Sequence, residues 1–138
     1  MTARSETEAL LRRYYDAFNA GDVDGMLGCL SEDVRHDVNE GGARVGKAAF
    51  SEFCAHMARC YQEQLEDMRI FASEDGDRGA AEFTVQGKYV GTDEGLPEAT
   101  GQRYNLPAGA FFTVEGGLIA RVTTYYNLRD WIRQVAGE

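Results

Sequence analysis

The spacing of apolar residues in this 138-residue chain changes once, close to Tyr61. Before that point apolar residues recur every three or four positions, which is typical of amphipathic helices. The clearest helical stripe is Leu11, Tyr14, Tyr15 and Phe18. After that point apolar and polar residues alternate, most clearly in residues 81–89, which is typical of strands with one buried face. Helices followed by antiparallel strands predict an α+β fold.

Turn and cap residues divide the chain into elements. The first helix is predicted to end at residues 19–22, and two further helices are predicted over residues 23–30 and after Gly46. Strands are predicted at residues 34–38, 64–73, 81–89, 103–114 and 118–127, and a closing helix at residues 128–135. The length suits one domain, so residues 1–138 are predicted to form a single unit. Three helices on a strongly curved sheet would form a cone lined by aromatic side chains, a natural ligand pocket.

Charge and cysteine content narrow the classes of function. The formal net charge is -9 and no cluster of Lys and Arg occurs, so we expect no nucleic-acid partner. No stretch approaches the roughly 20 apolar residues of a membrane span, and the first residues lack an apolar signal core. We therefore expect no membrane partner and a cytoplasmic location. Three cysteines without a Cys-x-x-Cys pair predict neither a disulfide framework nor a zinc site, and we predict no metal or cofactor.

One pair of metal-binding residue types remains. His56 and Cys60 are four residues apart on the predicted third helix and could share one face. No further ligand lies near them in the sequence, so the pair does not predict a metal site.

Asp37 is the candidate for chemistry because it ends a short strand and precedes a glycine-rich turn at residues 40–42. A carboxylic acid in a pocket of Phe and Tyr side chains loses hydration, which raises its pKa and suits it to proton transfer near neutral pH. Successive strand residues face opposite sides, so only one of His36 and Asp37 can line the pocket unless a bulge intervenes. We predict that Asp37 faces inward.

Several segments resemble one known superfamily. Residues 14–25, 30–34 and 44–50 resemble the start of NTF2-like proteins, within the branch of ketosteroid-isomerase-like and SnoaL-like polyketide cyclases. Residues 117–132 resemble the closing strand and helix of ketosteroid-isomerase-related proteins. The resemblance implies a cone-shaped, curved antiparallel sheet packed on three N-terminal helices. It also implies a homodimer that pairs through the outer sheet face, where Tyr125 or Tyr126 would otherwise stay exposed.

The resemblance assigns roles residue by residue. Tyr14 falls at the position of the isomerase tyrosine that donates a hydrogen bond to the substrate oxyanion, and Asp37 at the position of the general base. Gly109 stands where the isomerases have a second, protonated acid, and Asn127 stands where SnoaL-like cyclases have their base. The chain thus retains the isomerase base and matches neither branch completely.

These residues predict proton transfer on an apolar carbonyl compound, either isomerisation or an aldol-type cyclisation, with Asp37 as base and Tyr14 as oxyanion donor. Two alternatives remain open. An epoxide-type hydrolase or dehydratase would use Asp37 with a bound water, and a binding domain would use the pocket without catalysis. Residues 91–97 are long for a hairpin connection and are predicted to act as a lid. The predicted binding residues are Asn127, His36, Phe53, Met57, Phe83, Tyr89, Phe111 and Tyr125.

Overall fold

The structure is a computed structural model that describes residues 2–137. Helices come first and long strands follow, which confirms the α+β prediction. The elements are α1 (Ala3–Ala20), α2 (Val23–Leu27), β1 (Leu30–Val38), β2 (Gly42–Val45), α3 (Lys47–Cys60), β3 (Tyr61–Ala72), β4 (Arg78–Tyr89), β5 (Gln102–Glu115), β6 (Leu118–Tyr126) and α4 (Leu128–Ala136). None of the helices in the described part of the chain is both long enough and apolar enough to cross a membrane.

The strands form one six-stranded sheet with the order β2-β1-β6-β5-β4-β3. All neighbours are antiparallel except β1 and β6, which run parallel, so the sheet is mixed and the predicted fully antiparallel sheet is wrong in this detail. A hairpin forces neighbouring strands to be antiparallel, but β1 and β6 come from the two halves of the chain and have no such constraint. The short strand β2 was not predicted, because its glycine-rich sequence resembles a turn.

The end of α1 is tied to the sheet by the residues that marked it in the sequence. Gly21 adopts the left-handed conformation (φ 70°) that ends the helix, and the Asp22 side chain caps α2 by accepting from the amide of Gly25 at 2.9 Å. Asn19 donates to the carbonyl of Leu65 at 3.0 Å and accepts from its amide at 2.8 Å. Helix α1 is thereby fixed against β3.

Two groups of aromatic side chains pack between the helices and the inner sheet face. Tyr14 packs edge-on against Tyr15 and Phe112, with ring centroids 5.0 and 5.9 Å away. At the other end of the sheet, Trp131 of α4 packs against several tyrosine rings, namely those of Tyr61, Tyr89 and Tyr104. Helix α4 therefore packs on the part of the sheet formed by β3, β4 and β5.

Candidate functional site

A cavity of about 620 Å³ lies between the helices and the inner sheet face. This volume is in the range of sites for small organic ligands. Residues of all four helices line it together with residues of all six strands, and most of the lining is apolar. Polar side chains occur at a few positions, chiefly Tyr14, His36, Arg44, His56, Tyr61, Glu63, Asp93 and Tyr126. The exposed residues Glu40, Gly41 and Glu94 mark its mouth.

The predicted inward orientation of Asp37 is wrong. The buried residues of β1 are Leu30, Val34 and His36, so strand alternation directs His36 into the cavity and Asp37 to the outer sheet face. On that face the Asp37 carboxylate accepts from Arg35 Nε at 3.1 Å and from the hydroxyl of Thr123 at 3.3 Å. The Asp37 carboxylate is therefore engaged by Arg35 and Thr123 and does not line the cavity.

Tyr14 does reach the cavity. Its ring is 5% exposed and lines the cavity wall. The Tyr14 hydroxyl has no hydrogen-bond partner among residues 2–137. It is nevertheless not a fully buried, unpaired atom, since Ser31 Oγ is the only such side-chain atom in that range. The hydroxyl is therefore open to the cavity. Burial, with smaller contributions from Cys54 and Cys29, raises the pKa of Tyr14 above its usual value. The hydroxyl therefore stays protonated and can donate a hydrogen bond.

The other predicted binding residues fall into two groups. Three of them lie in the cavity wall, namely Phe53, Met57 and Phe83. Their contact with a ligand stays a prediction. Four others lie elsewhere. Tyr89 is buried behind the wall, Asn127 caps α4 by accepting from the amide of Asp130, and Phe111 and Tyr125 are exposed on the outer sheet face. On β6 the neighbouring residue Tyr126 faces the cavity instead.

Glu63 on β3 is a carboxylic acid in the lining of the cavity. Its Oε2 accepts from the hydroxyl of Tyr104 at 2.5 Å, while Oε1 has no partner among residues 2–137 and is open to the cavity. Burial raises the pKa of Glu63 above its usual value, and the hydrogen bond from Tyr104 opposes this rise. Glu63 is thus a desolvated acid with one oxygen held and one free.

A glycine makes the Glu63–Tyr104 contact possible. Tyr104 is on β5 and Glu63 is on β3, so the tyrosine ring must cross β4, which lies between them. It crosses at Gly87, where a Cβ atom would lie 2.1 Å from Tyr104 Cζ. Any larger residue at position 87 would push the ring away from Glu63.

A second acid, Asp93, lies in the loop between β4 and β5 that was predicted to act as a lid. Its carboxylate bonds to His56 Nε2 at 2.9 Å and accepts from the hydroxyl of Tyr61 at 2.7 Å. The loop is held in place because Tyr89 Oη donates to the carbonyl of Pro97 at 2.6 Å and accepts from the amide of Asp93 at 2.9 Å. Asp93 and Leu96 line the cavity, so this loop forms part of its wall.

The third potential metal ligand beside His56 and Cys60 is this same Asp93, whose ligand atoms lie within 4.8 Å of theirs. The sequence did not reveal it because Asp93 is 37 residues from His56 in the chain. Hydrogen bonds from His56 and Tyr61 already engage both carboxylate oxygens. His56 and Asp93 thus form a hydrogen-bonded part of the cavity wall.

His36 and Arg44 form a polar pair on the opposite side. Arg44 pairs across the β1–β2 hairpin with His36, and its Nη1 lies 3.2 Å from His36 Nδ1. Burial, and then the neighbouring Arg44 charge, lowers the pKa of His36 to about 4, so the imidazole is neutral near neutral pH. Because a guanidinium can only donate, Nδ1 accepts and the ring proton sits on Nε2.

Sequence reasoning missed Glu63, Asp93 and Arg44. For Glu63 a signal was present, since Tyr61, Glu63 and Leu65 occupy one face of a strand that begins at residue 61. The predicted strand begins at residue 64 and therefore excludes Glu63. For Asp93 and Arg44 the signal is weaker, because their positions depend on a loop and on a four-residue strand.

Comparison with known proteins identifies the class. Residues 11–122 match the family model described as a SnoaL-like domain, so the chain belongs to the SnoaL-like family of the NTF2-like superfamily. It is similar to a putative polyketide cyclase from Silicibacter sp. TM1040, with 64% identity over 96% of each chain and a TM-score of 0.93.

Two further structures are similar to the chain. A putative polyketide cyclase from Xanthomonas campestris pv. campestris is 51% identical, with 97% of this chain and 99% of that chain covered and a TM-score of 0.94. An NTF2-like protein from Burkholderia pseudomallei K96243 is 20% identical, with 94% and 97% covered and a TM-score of 0.81, which supports the fold alone. The predicted family is thus confirmed.

Proposed function

We propose that this protein is an enzyme that transfers a proton next to a carbonyl group of an apolar small molecule, in an isomerisation or an aldol-type cyclisation. The observation that carries the proposal is the position of Glu63, a desolvated carboxylic acid with one free oxygen on the wall of an apolar cavity. Its raised pKa makes it a stronger base than a solvated glutamate. The similar proteins described as putative polyketide cyclases support the same class of reaction.

In the proposed first step, Glu63 accepts a proton from the carbon next to the carbonyl group. The electron pair of the broken C–H bond moves toward the carbonyl oxygen and forms an enolate. The protonated hydroxyl of Tyr14 donates a hydrogen bond to this oxygen and stabilises its negative charge. Glu63 thus takes the role that the sequence gave to Asp37, while Tyr14 keeps its predicted role.

The enolate can react in two ways, and in each of them Glu63 gives up the proton that it accepted. In an isomerisation, protonated Glu63 returns the proton to a different carbon of the same molecule. In an aldol-type cyclisation, the enolate carbon attacks a second carbonyl group of the molecule, and the new alkoxide takes the proton from Glu63. Neither outcome needs an oxidant or a second substrate.

Exchange of hydrogen for deuterium tests the proton transfer without knowledge of the natural substrate. Acetylnaphthalene, an apolar methyl ketone, is incubated with the protein in D₂O, and loss of the methyl proton signal is followed by NMR. We expect the protein to accelerate exchange and Glu63→Gln to reduce the rate by about 100-fold or more. Glu66→Gln, an exposed change on the same strand, is the matched control.

The alternatives predict different results. Ketone binding without accelerated exchange in the unaltered protein would point to a binding domain. Glu63-dependent opening of an epoxide probe, without ketone exchange, would point to a hydrolase. An exchange rate that survives Glu63→Gln would show that another group is the base.

We also propose that the protein forms a homodimer through the outer sheet face. Phe111 and Tyr125 are 52% and 43% exposed there, and their rings pack edge-on at 5.7 Å. Soluble monomers seldom leave clustered aromatic rings in water. Light scattering coupled to size-exclusion chromatography is expected to give twice the chain mass for the unaltered protein. For the Phe111→Asp variant it is expected to give the mass of one chain. Val90→Asp, at an exposed apolar residue after β4, is the control.

A further inference from the structure

Arg44 is a positively charged residue of the cavity wall that has no role in the proposed proton transfer. Of the Lys and Arg side chains in residues 2–137, it alone lines the cavity. The chain has 23 acidic residues against 14 Lys and Arg, so acids outnumber the available cations. Nevertheless, no carboxylate of the described residues lies within 4.0 Å of the Arg44 guanidinium.

The groups that do hold Arg44 are neutral. Its guanidinium carbon lies 4.5 Å from the centre of the Phe53 ring, and its Nη1 donates to Nδ1 of the buried His36. These contacts fix the direction of the guanidinium while leaving its charge uncompensated. A cation in a partly desolvated wall is stabilised by an opposite charge, and a planar carboxylate fits the guanidinium best because it can accept two parallel hydrogen bonds.

Glu63 is separated from Arg44 by the sheet order, because Arg44 is on the edge strand β2 and Glu63 is on the opposite edge strand β3. Asp93 and Glu94 lie in the loop after β4, where the Asp93 carboxylate is engaged by His56 and Tyr61. Glu40 is nearer in the chain, but it is exposed and accepts from the amide of Leu128 at 3.2 Å. The cavity therefore has a cation at one side and its proposed base at the other.

We propose that the ligand of this cavity carries a carboxylate that pairs with Arg44, so that the substrates are apolar carbonyl compounds that are also carboxylic acids. This inference rests on the proposed function, because it places the reacting carbonyl beside Glu63 and the acid group beside Arg44. It specifies the substrate class: a keto acid with an apolar or aromatic body between the two polar groups.

Two probes of nearly the same shape test the inference by binding. Naphthalene carboxylate and acetylnaphthalene differ only in replacing a charged carboxylate with a neutral methyl ketone. Their affinities are measured by titration calorimetry at neutral pH with the intact protein. We expect the carboxylate to bind about tenfold or more tightly than the ketone. Arg44→Gln is expected to abolish the preference, and Arg44→Lys to retain part of it.

The control is Arg35→Gln, which removes an arginine from the neighbouring strand but on the outer sheet face, where Arg35 pairs with Asp37. This variant is expected to keep the preference. Equal affinity for the two probes, tighter binding of the ketone, or a preference that survives Arg44→Gln would overturn the inference. Such a result leaves the proposed function standing if Glu63 still controls exchange of the neutral ketone. If the exchange rate instead does not depend on Glu63 while the Arg44-dependent preference for the carboxylate is intact, the proposed function is wrong and the carboxylate site stands.

Discussion

Tyr104 donates from its hydroxyl to the Glu63 carboxylate across an intervening strand, with 2.5 Å between the two oxygens. The contact joins β5 to β3 and immobilises one carboxylate oxygen of the proposed base. It also sets the basicity of that group, since the hydrogen bond lowers a pKa that burial raises. The orientation and the pKa of Glu63 therefore depend on the same neighbour.

Tyr104→Phe removes this hydrogen bond while leaving the ring in place. Because the bond favours the charged form of the carboxylate, its loss should raise the pKa of Glu63 further. The rate of ketone exchange depends on ionised Glu63, so its rise with pH should shift to higher pH. A pH–rate profile of both proteins measures the shift, and an unchanged or lowered midpoint would contradict the assignment of Glu63 as the base.

Gly87→Ala tests the path of the Tyr104 ring. The added Cβ would lie 2.1 Å from Tyr104 Cζ, so the ring or the strand must move. We expect a loss of stability of roughly 1–3 kcal/mol, typical of overpacking, together with slower ketone exchange. Urea unfolding measures the stability. Gly28→Ala is the control, because its Cβ would meet only ordinary contacts at 3.5 Å.

The fold was predictable because its signals are local. The helical stripe on α1, the alternation along β4 and the caps at Gly21 and Asp22 depend on residues a few positions apart. The parallel pairing of β1 with β6 was not predictable in the same way. It joins segments more than 80 residues apart, such as Asp37 and Thr123, and no turn links them.

The site was less predictable, for reasons that particular residues make clear. Alternation along β1 indicates that only one of His36 and Asp37 faces inward, and the family resemblance alone favours Asp37. Val34 and Val38 share a face with His36, so the apolar pattern of the strand favours the histidine, in agreement with the burial of Val34. Glu63 lay outside the predicted strand by one residue, and contacts such as Asp93 with His56 form only in the folded chain.

Asp37→Asn should leave catalysis unchanged. The Asp37 carboxylate is on the outer sheet face, and the cavity lining does not include it. The ketone exchange rate is expected to stay within about twofold, and the stability within roughly 1 kcal/mol, since the pair with Arg35 is partly exposed. Exchange and urea unfolding are measured on the same preparation. A large loss of exchange with an intact fold would restore Asp37 as the candidate base.

His36 should make the stability of the protein depend on pH. In the folded protein its pKa is lowered to about 4, from 6.5 when unperturbed, so between these values the unfolded state binds more protons. Stability should therefore fall by roughly 3 kcal/mol as the pH falls through this window. His36→Gln keeps an acceptor for Arg44 but cannot titrate, so its stability should fall less. Urea unfolding at several pH values measures the difference between the two proteins, which cancels the contributions of all other groups. A difference that does not vary with pH would show that His36 is not held neutral in the cavity wall.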